Sequence, residues 1–250
     1  MRNLLIFITI FLVFHHDFYG QTLKALYKVE QKKDMLSYDK DTVSDRYIEM
    51  VQRLNSQYRE ILDAVKLKVI SSGEVYQVSM FDENPNFLEL TQQFNLAKYS
   101  LIGWDIIQSD VKTGVAHGIL ENSEDPIRAV NTKNIVWELT GESKEIGNLK
   151  VVQAIAKIQN KEDEYPARLP ILCWFAPEID FHCGPTEYAN FEGMIVQIDY
   201  PRFRIVLDSY EVGNFPLTPI QLDESKVMDH QEYQNYHERI AKVKYPKSRN

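Results

Sequence analysis

The chain has 250 residues, with 28 basic and 36 acidic side chains and a formal net charge of −8. This acidic surplus argues against a nucleic-acid partner, because phosphate backbones are held by clustered Lys and Arg side chains. Hydrophobic residues make up 44% of the chain and only two residues are cysteine, so an ordinary core can form without a disulfide scaffold. The sequence shows no repeat or low-complexity stretch, which gives no support to a solenoid or a disordered protein.

The first twenty residues have the layout of a secretory signal peptide. Arg2 precedes a run from Leu4 to Phe14 in which Thr9 is the only non-apolar residue, and the polar sequence HHDFYGQ follows. An apolar run of this length is too short to cross a bilayer of about 30 Å. We therefore expect residues 1–20 to be removed, although an uncleaved anchor and other cleavage positions stay open. The mature chain, residues 21–250, is expected to be exported to the periplasm, the outer membrane or the exterior, and to have no transmembrane span.

A strand and a helix are predicted in the first part of the mature chain. Residues 23–31 alternate between apolar and polar side chains, which is the pattern of a half-buried strand. Between residues 42 and 66 the apolar side chains recur at steps of three and four, as an amphipathic helix requires. Thr42 and Asp45 have the spacing of a capping box, so the helix is predicted to begin at Thr42.

A series of short alternating runs follows this helix. Because strands in quick succession leave no room for helical crossovers, they are expected to pair antiparallel. Near the end of the chain, Asp229 and Glu232 have capping-box spacing and predict the start of a short C-terminal helix. The predicted strands are residues 67–70, 74–81, 100–109, 114–120, 135–140, 150–158, 169–175, 194–198 and 203–212, with turns at 71–73, 147–148, 160–164 and 200–202.

These elements predict a single, mainly β domain over residues 21–250. A sheet of roughly ten strands is expected to curl rather than stay flat. We therefore expect a curved antiparallel sheet, shaped as a bowl or half-barrel, with the long N-terminal helix against its concave face.

The standard catalytic and nucleotide-binding motifs do not occur in the sequence. The densest group of reactive side chains is Glu178, Asp180, His182 and Cys183, and alternate spacing could place the first three on one side of an extended segment. Such a group could bind a metal, and two of its carboxylates could act as a glycosidase pair. A solvated loop is the interpretation that we favour, so we predict no metal, no cofactor and no catalytic residue.

The two cysteines, Cys173 and Cys183, stand ten positions apart. In an oxidising compartment they could form a disulfide that closes the intervening loop. Cys173 lies beside Trp174 in a predicted strand and could equally be a buried thiol, since a free cysteine packs as a small apolar group. The sequence leaves both alternatives open.

The segment around these cysteines carries a recognisable pattern. It begins with Trp-Phe-Ala-Pro-Glu-Ile, continues through a Gly-Pro step and an aromatic residue, and ends in Asn-Phe-Glu-Gly-Met-Ile. It resembles the GLPGLI family of exported Bacteroidetes proteins, whose name motif Gly-Leu-Pro-Gly-Leu-Ile aligns with the last six residues. The matching positions are Trp174, Phe175, Pro177, Glu178, Gly184, Pro185, Tyr188, Asn190, Gly193 and Ile195.

Within the name motif only Gly193 and Ile195 are identical to the family pattern. Asn190 replaces a glycine, which suits a position with positive φ because Asn tolerates the left-handed region. Glu192 replaces a proline and so removes a fixed φ angle. The resemblance is specific over residues 137–212 and agrees only in layout before them.

Members of the family mostly have no known function, and no catalytic residues are assigned to them. A similar bowl-like domain is an accessory part of some secreted glycan-releasing amidases. The resemblance therefore implies an exported, non-enzymatic β module that binds a ligand or a protein partner in the cell envelope. Two alternatives stay open: a secreted hydrolase acting on glycans or peptides through acids such as Glu178 and Asp180, and a structural subunit of an outer-membrane assembly.

Overall fold

The computed structural model describes residues 20–82 apart from 35, 37, 38 and 40, residues 95, 98, 101–120 and 124–159, and residues 170–244 apart from 190. The predicted signal peptide lies outside this part of the chain, apart from Gly20. The turn predicted at residues 160–164 and the positive φ expected at Asn190 also lie outside the described residues.

One sheet contains all twelve strands of the described residues. In chain order they are β1 (Thr22–Gln31), β2 (Val65–Ser71), β3 (Val75–Asp82), β4 (Ile106–Asp110), β5 (Val115–Ile119), β6 (Ile127–Asn131), β7 (Ile135–Ile146), β8 (Leu149–Ile158), β9 (Leu172–Ala176), β10 (Met194–Asp199), β11 (Phe203–Gly213) and β12 (Val227–Met228).

The strands lie side by side in the order β12-β6-β5-β4-β3-β2-β1-β11-β10-β9-β8-β7, and the sheet is not closed. Every neighbouring pair is antiparallel except β12 and β6, which are parallel. The predicted mainly β fold and its antiparallel pairing are confirmed. The two-residue β12 and its parallel pairing were not predicted.

One face of the sheet carries the core, and we call it the inner face. Along β1 the side chains of Leu23, Ala25, Tyr27 and Val29 are almost completely buried, while those between them are partly or fully exposed. This is the period-2 alternation that the sequence predicted for β1. The same alternation continues in β2 and β3, so the inner face is a continuous apolar surface.

The long helix, α1, spans Asp45–Ala64 and lies within the predicted range. Its predicted cap is wrong: Ser44, and not Thr42, is the N-cap, and its side chain accepts a hydrogen bond from the Tyr47 backbone N–H. Ser44 has the extended backbone that an N-cap needs, whereas the Thr42 hydroxyl is bonded to the Asp39 carbonyl in the preceding turn. The helix adds buried apolar side chains to the core, among them Val51, Tyr58, Ile61 and Leu62.

The C-terminal helix, α2, spans His230–Lys244. The predicted capping box is confirmed, because the Asp229 carboxylate accepts from the Glu232 N–H at 2.8 Å and the Asp229 N–H donates to the Glu232 carboxylate at 3.1 Å. A short 3-10 turn, Thr132–Asn134, joins β6 to β7, and another, Glu224–Lys226, precedes β12.

Two strand predictions need correction. The strand expected over residues 100–109 is present only as β4, because the chain before it turns so that the Trp104 ring lies against Gly118 of β5. Strand β6 was missed because Arg128 occupies one of its inward positions and is 3% exposed, so the strand lacks apolar alternation.

Candidate functional site

Most side chains of the segment that connects β9 to β10, residues 177–193, lie in the core, while Glu178 and Asp180 face the solvent. We call this segment the inner loop. Its side chains Ile179, Cys183, Tyr188 and Phe191 are at most 8% exposed and join the same apolar cluster as the inner face of the sheet. The pattern that the sequence singled out is therefore mainly a pattern of buried residues.

Two buried tyrosines of the sheet hold this region through backbone hydrogen bonds. The Tyr76 hydroxyl, from β3, donates to the Thr186 carbonyl at 2.7 Å, and the Tyr27 hydroxyl, from β1, donates to the Ile195 carbonyl at 2.7 Å. Burial raises the pKa of both tyrosines well above the ordinary value, so both stay protonated donors. The Tyr76 bond thus fixes the inner loop to β3, and the Tyr27 bond fixes the start of β10 to β1.

Both cysteines are buried free thiols in the structure. Burial raises the pKa of Cys183 to about 12, an effect that a hydrogen bond with the Ser71 side chain partly opposes, and burial likewise raises the pKa of Cys173. A thiol with a raised pKa is a poor nucleophile and a poor metal ligand at neutral pH. Cys173 and Cys183 therefore act as small packing groups in this structure.

The glycines of the motif lie where no side chain fits. Gly193 has φ +138°, and a Cβ there would collide with the Ala176 carbonyl oxygen. A Cβ on Gly184 would lie 2.7 Å from Cδ1 of Ile195, and the following Pro185 is buried. Both glycines allow close approach of the inner loop to the ends of β9 and β10.

The acidic side chains near the motif do not converge. Glu178 is exposed, the Asp180 side chain is fully exposed, and the His182 Nε2 atom lies 3.8 Å from Asp180 Oδ1. Cys183 points into the core instead. Among the described residues no group of three or more His, Cys, Asp or Glu side chains is placed to hold a metal ion.

A groove of about 710 Å³ lies beside the inner loop at the β7 edge of the sheet, and we call it the edge groove. Its lining combines β7, β8, β9 and the inner loop, and is mostly apolar. Trp137, Phe175 and Phe191 form its aromatic part, Val136 and Leu139 add aliphatic surface, and Lys133 and Glu192 are the charged residues that line it.

The three aromatic rings of the edge groove pack against one another. The Phe175 and Phe191 ring centroids are 4.6 Å apart with an interplanar angle of 22°, and those of Trp137 and Phe191 are 4.9 Å apart. The Trp137 indole N–H donates to the Tyr188 carbonyl at 3.2 Å, which fixes the ring. Phe175 and Phe191 are only 7% and 8% exposed, so the accessible apolar surface includes the partly buried Trp137 together with Leu139, 66% exposed, and Val136, 39% exposed.

Sequence reasoning did not find the edge groove. Trp137, Phe175 and Phe191 each stood within the recognised pattern or the region around it, but they come from three separate segments of the chain. In the sequence, Leu139 stood out only as one of the apolar residues in the segment that forms β7. Strand pairing brings these residues together, and that pairing is not evident from local periodicity.

Two other cavities are lined by a larger share of polar and charged residues. One, of about 540 Å³, lies between the end of β1 and α1, where basic residues such as Lys28 and Arg59 alternate with Glu30 and Asp63. The other, of about 330 Å³, lies at the start of α2 and is lined in part by the buried Arg128. Of the three cavities, the edge groove has the most apolar residues in its lining.

The fold and the groove define an open, mainly β domain whose inner face is filled by its own loop. A scan against models of protein families finds no match for this chain, and a search of the curated proteins finds none. Among solved structures, PNGF-II is similar in two crystal forms, at 11% sequence identity in each. The alignments have TM-scores of 0.47 and 0.45 and cover 87% and 86% of this chain. They cover 33% and 32% of the PNGF-II chain, so this chain spans about a third of that length.

The structure also bears on membrane insertion. No helix among the described residues is both long enough and apolar enough to cross a bilayer.

Proposed function

We propose that this chain is an exported, non-enzymatic β module of the GLPGLI family, and that it binds an apolar ligand of the cell envelope in the edge groove. The observation that carries the proposal is the groove itself: about 710 Å³ of mostly apolar lining, with Leu139 66% exposed at its side. Concave clefts with a mostly apolar lining are the usual form of a ligand site, and contiguous apolar patches mark surfaces that a ligand or a partner covers.

Export and family membership are supported by the sequence. The basic start, the apolar run and the polar exit of residues 1–20 are the layout of a signal peptide. The motif positions Gly184 and Gly193 lie where close backbone packing requires glycine, which gives the resemblance a physical basis. Trp137 and Phe191, which also belong to the region of resemblance, line the groove.

We further propose that the sheet curves into a bowl or half-barrel with α1 against its concave face. Strands β6 and β7 stand ten positions apart in the sheet, a distance of about 48 Å if the sheet were flat. Yet only the 3-10 turn Thr132–Asn134 joins them, and a chain of that length spans at most about 14 Å. Curvature of the sheet reconciles the two distances. The burial of Tyr58 and Leu62 of α1 in the common core supports the position of the helix.

The chemistry of the groove favours an apolar ligand over a glycan. Sugar-binding sites offer an open aromatic face, whereas Phe175 and Phe191 stack on each other and are almost fully buried. The accessible surface combines the aliphatic Leu139 and Val136 with the Trp137 ring, whose one face packs on Phe191, and Lys133 and Glu192 give the lining one charge of each sign. An uncharged apolar group therefore fits this surface better than a strongly charged one.

A hydrolase is not proposed. The acids that the sequence offered for such a role, Glu178 and Asp180, are both exposed, and neither lines the edge groove. General acid–base catalysis needs two titratable groups that face one reacting bond.

Native mass spectrometry of the full chain, purified from its own cell envelope, tests the proposed function. We expect the wild-type protein to carry a non-covalent adduct that the Leu139→Asp variant loses, because a carboxylate in the groove would have to be desolvated by an apolar ligand. Val212→Asp, at an exposed valine of β11 that does not line the groove, is the matched control and should keep the adduct. Bare monomer from the wild type, or an adduct of equal occupancy in Leu139→Asp, would contradict the proposal.

A further inference from the structure

After β11 the chain leaves the sheet and returns over its other face. Residues 214–223, which we call the strap, are neither helical nor paired in a strand. They contact Gln77 of β3 and Gln108 of β4. Since these two residues alternate with the inward-facing Tyr76 and Ile107, the strap lies on the face opposite the inner face. Beyond the strap, β12 pairs with the edge strand β6, and α2 follows.

Two glutamines hold the strap by its backbone. Gln108 Nε2 donates to the Ile220 carbonyl at 3.1 Å and Gln108 Oε1 accepts from the Ile220 N–H at 2.7 Å, as a neighbouring strand would. Gln77 Nε2 donates to the Thr218 carbonyl at 3.0 Å and to Gln108 Oε1 at 2.9 Å, so the two amides are locked together. These bonds involve only backbone atoms of the strap. The two glutamines can therefore hold an extended chain of any side-chain composition.

Further attachments lie at the two ends of this region. At the beginning, the Thr22 hydroxyl accepts from the Phe215 N–H at 2.6 Å and lies 2.9 Å from the Phe215 carbonyl oxygen. At the end, the Tyr233 ring of α2 meets the Trp104 ring edge-on with centroids 5.4 Å apart. The parallel pairing of β12 with β6 involves two residues.

Burial along this region is sparse. No side chain between residues 214 and 229 is buried, and His230 and Tyr233 are the first that are. In β1, by contrast, every inward side chain is buried. Segments with few buried apolar contacts open locally at a lower free energy than the core does.

We propose that residues 214–244 form a clasp that opens as one unit while the rest of the sheet stays folded. The clasp is attached by a few side-chain hydrogen bonds along the strap, by the two-residue pairing of β12 with β6, and by the packing of α2 against Trp104. Opening uncovers Gln77 and Gln108, a pair of amides already arranged to bind an extended polypeptide backbone, together with the edge of β6. The open form would thus present a peptide-binding track that the chain's own strap occupies when the clasp is closed.

Hydrogen–deuterium exchange of the full chain tests this inference. In the wild type we expect the hydrogen-bonded amides of the clasp, those of Phe215 and Ile220 in the strap and those of α2, to exchange together and faster than those of β1 and β11. Gln108→Met removes both bonds to Ile220 at similar volume and should speed exchange of the whole clasp about tenfold. Gln77→Met should have a smaller effect in the same direction, because Gln77 makes a single bond to the strap. Gln153→Met, on β8, is the matched control and should change nothing.

Three outcomes would overturn the proposal. Exchange of the hydrogen-bonded amides of the clasp at the same rate as those of β1 and β11 would mean that the clasp opens only when the whole protein unfolds. Faster exchange in Gln108→Met confined to the strap, with α2 unchanged, would mean local fraying rather than a unit. Equal acceleration of β1, β11 and the clasp in Gln108→Met would make the clasp an integral part of the sheet.

Discussion

Gly193 shows at the residue scale why the recognised motif has the residues it has. Its φ of +138° is strained for any L side chain, and the Ala176 carbonyl occupies the space that a Cβ would need. Any side chain at position 193 would therefore meet both backbone strain and a steric clash. Glu192, which stands where the family pattern has proline, is exposed, so nothing in the core depends on its side chain.

Gly193→Ala should lower the free energy of unfolding by about 3 kcal/mol, the sum of backbone strain and a steric clash. Gly141→Ala is the matched control, since Gly141 also has positive φ but a Cβ placed there would have no atom within 4 Å. The control should cost about 1 kcal/mol. Urea unfolding followed by tryptophan fluorescence measures both values, and equal losses in the two variants would refute the role of the Ala176 carbonyl.

The sequence could identify the motif glycines as turn positions, but it could not say what packs against them. Cys183 illustrates the same gap: its spacing from Cys173 left a disulfide and a buried thiol equally open, and the structure has two buried free thiols. His182 and Asp180 suggested a polar cluster because they are close in sequence. Their surroundings depend on the fold, and the structure leaves Asp180 in solvent.

At the element scale, periodicity predicted those elements whose burial is regular. Strand β1 and helix α1 were found because their inward side chains are all apolar or nearly so. Strand β6 was missed because Arg128 faces inward, and the cap of α1 was misplaced because Thr42 and Ser44 are both good capping residues. The pairing of β7 with β8 was predicted, but the edge groove was not, since it also needs the inner loop folded back against Trp137.

The capping assignment can be tested directly. Ser44→Ala should destabilise the protein by about 1 kcal/mol, because the Tyr47 N–H loses its side-chain acceptor. Thr42→Ala removes a bond to the Asp39 carbonyl outside the helix and should cost less. Thermal unfolding of the two variants against the wild type distinguishes them, and a larger loss in Thr42→Ala would return the cap to Thr42.

At the scale of the whole molecule, a histidine on the face of the sheet opposite the inner face makes the stability of the protein depend on pH. His117 on β5 stands opposite Gln108 on β4 and Ala129 on β6. Burial lowers the pKa of His117 below its ordinary value, while the nearby Glu224 and Asp110 carboxylates oppose that shift. The folded state therefore binds the His117 proton less readily than the unfolded chain does.

It follows that His117 makes the protein less stable in acid. The stability that neutral His117 contributes is fully present above the ordinary histidine pKa of about 6.5. This contribution is lost as the pH falls through that value toward the lower pKa of the folded state. His117→Gln should remove this part of the loss between pH 8 and pH 5, as measured by urea unfolding at each pH. Identical pH profiles for His117→Gln and the wild type would refute the assignment.

The place of β1 in the sheet has a consequence for how the chain folds. This strand, the first of the described residues, is paired on one side with β2 and on the other with β11, so that Thr22 lies opposite Gly213. The centre of the sheet therefore cannot form until nearly the whole chain is available. Contacts between such distant residues slow folding, which belongs to the millisecond-to-second range for proteins dominated by them. On the proposed export route, a chain of this topology stays unfolded for most of its passage through a membrane pore, and completes its central ladder only after its C-terminal strands have emerged.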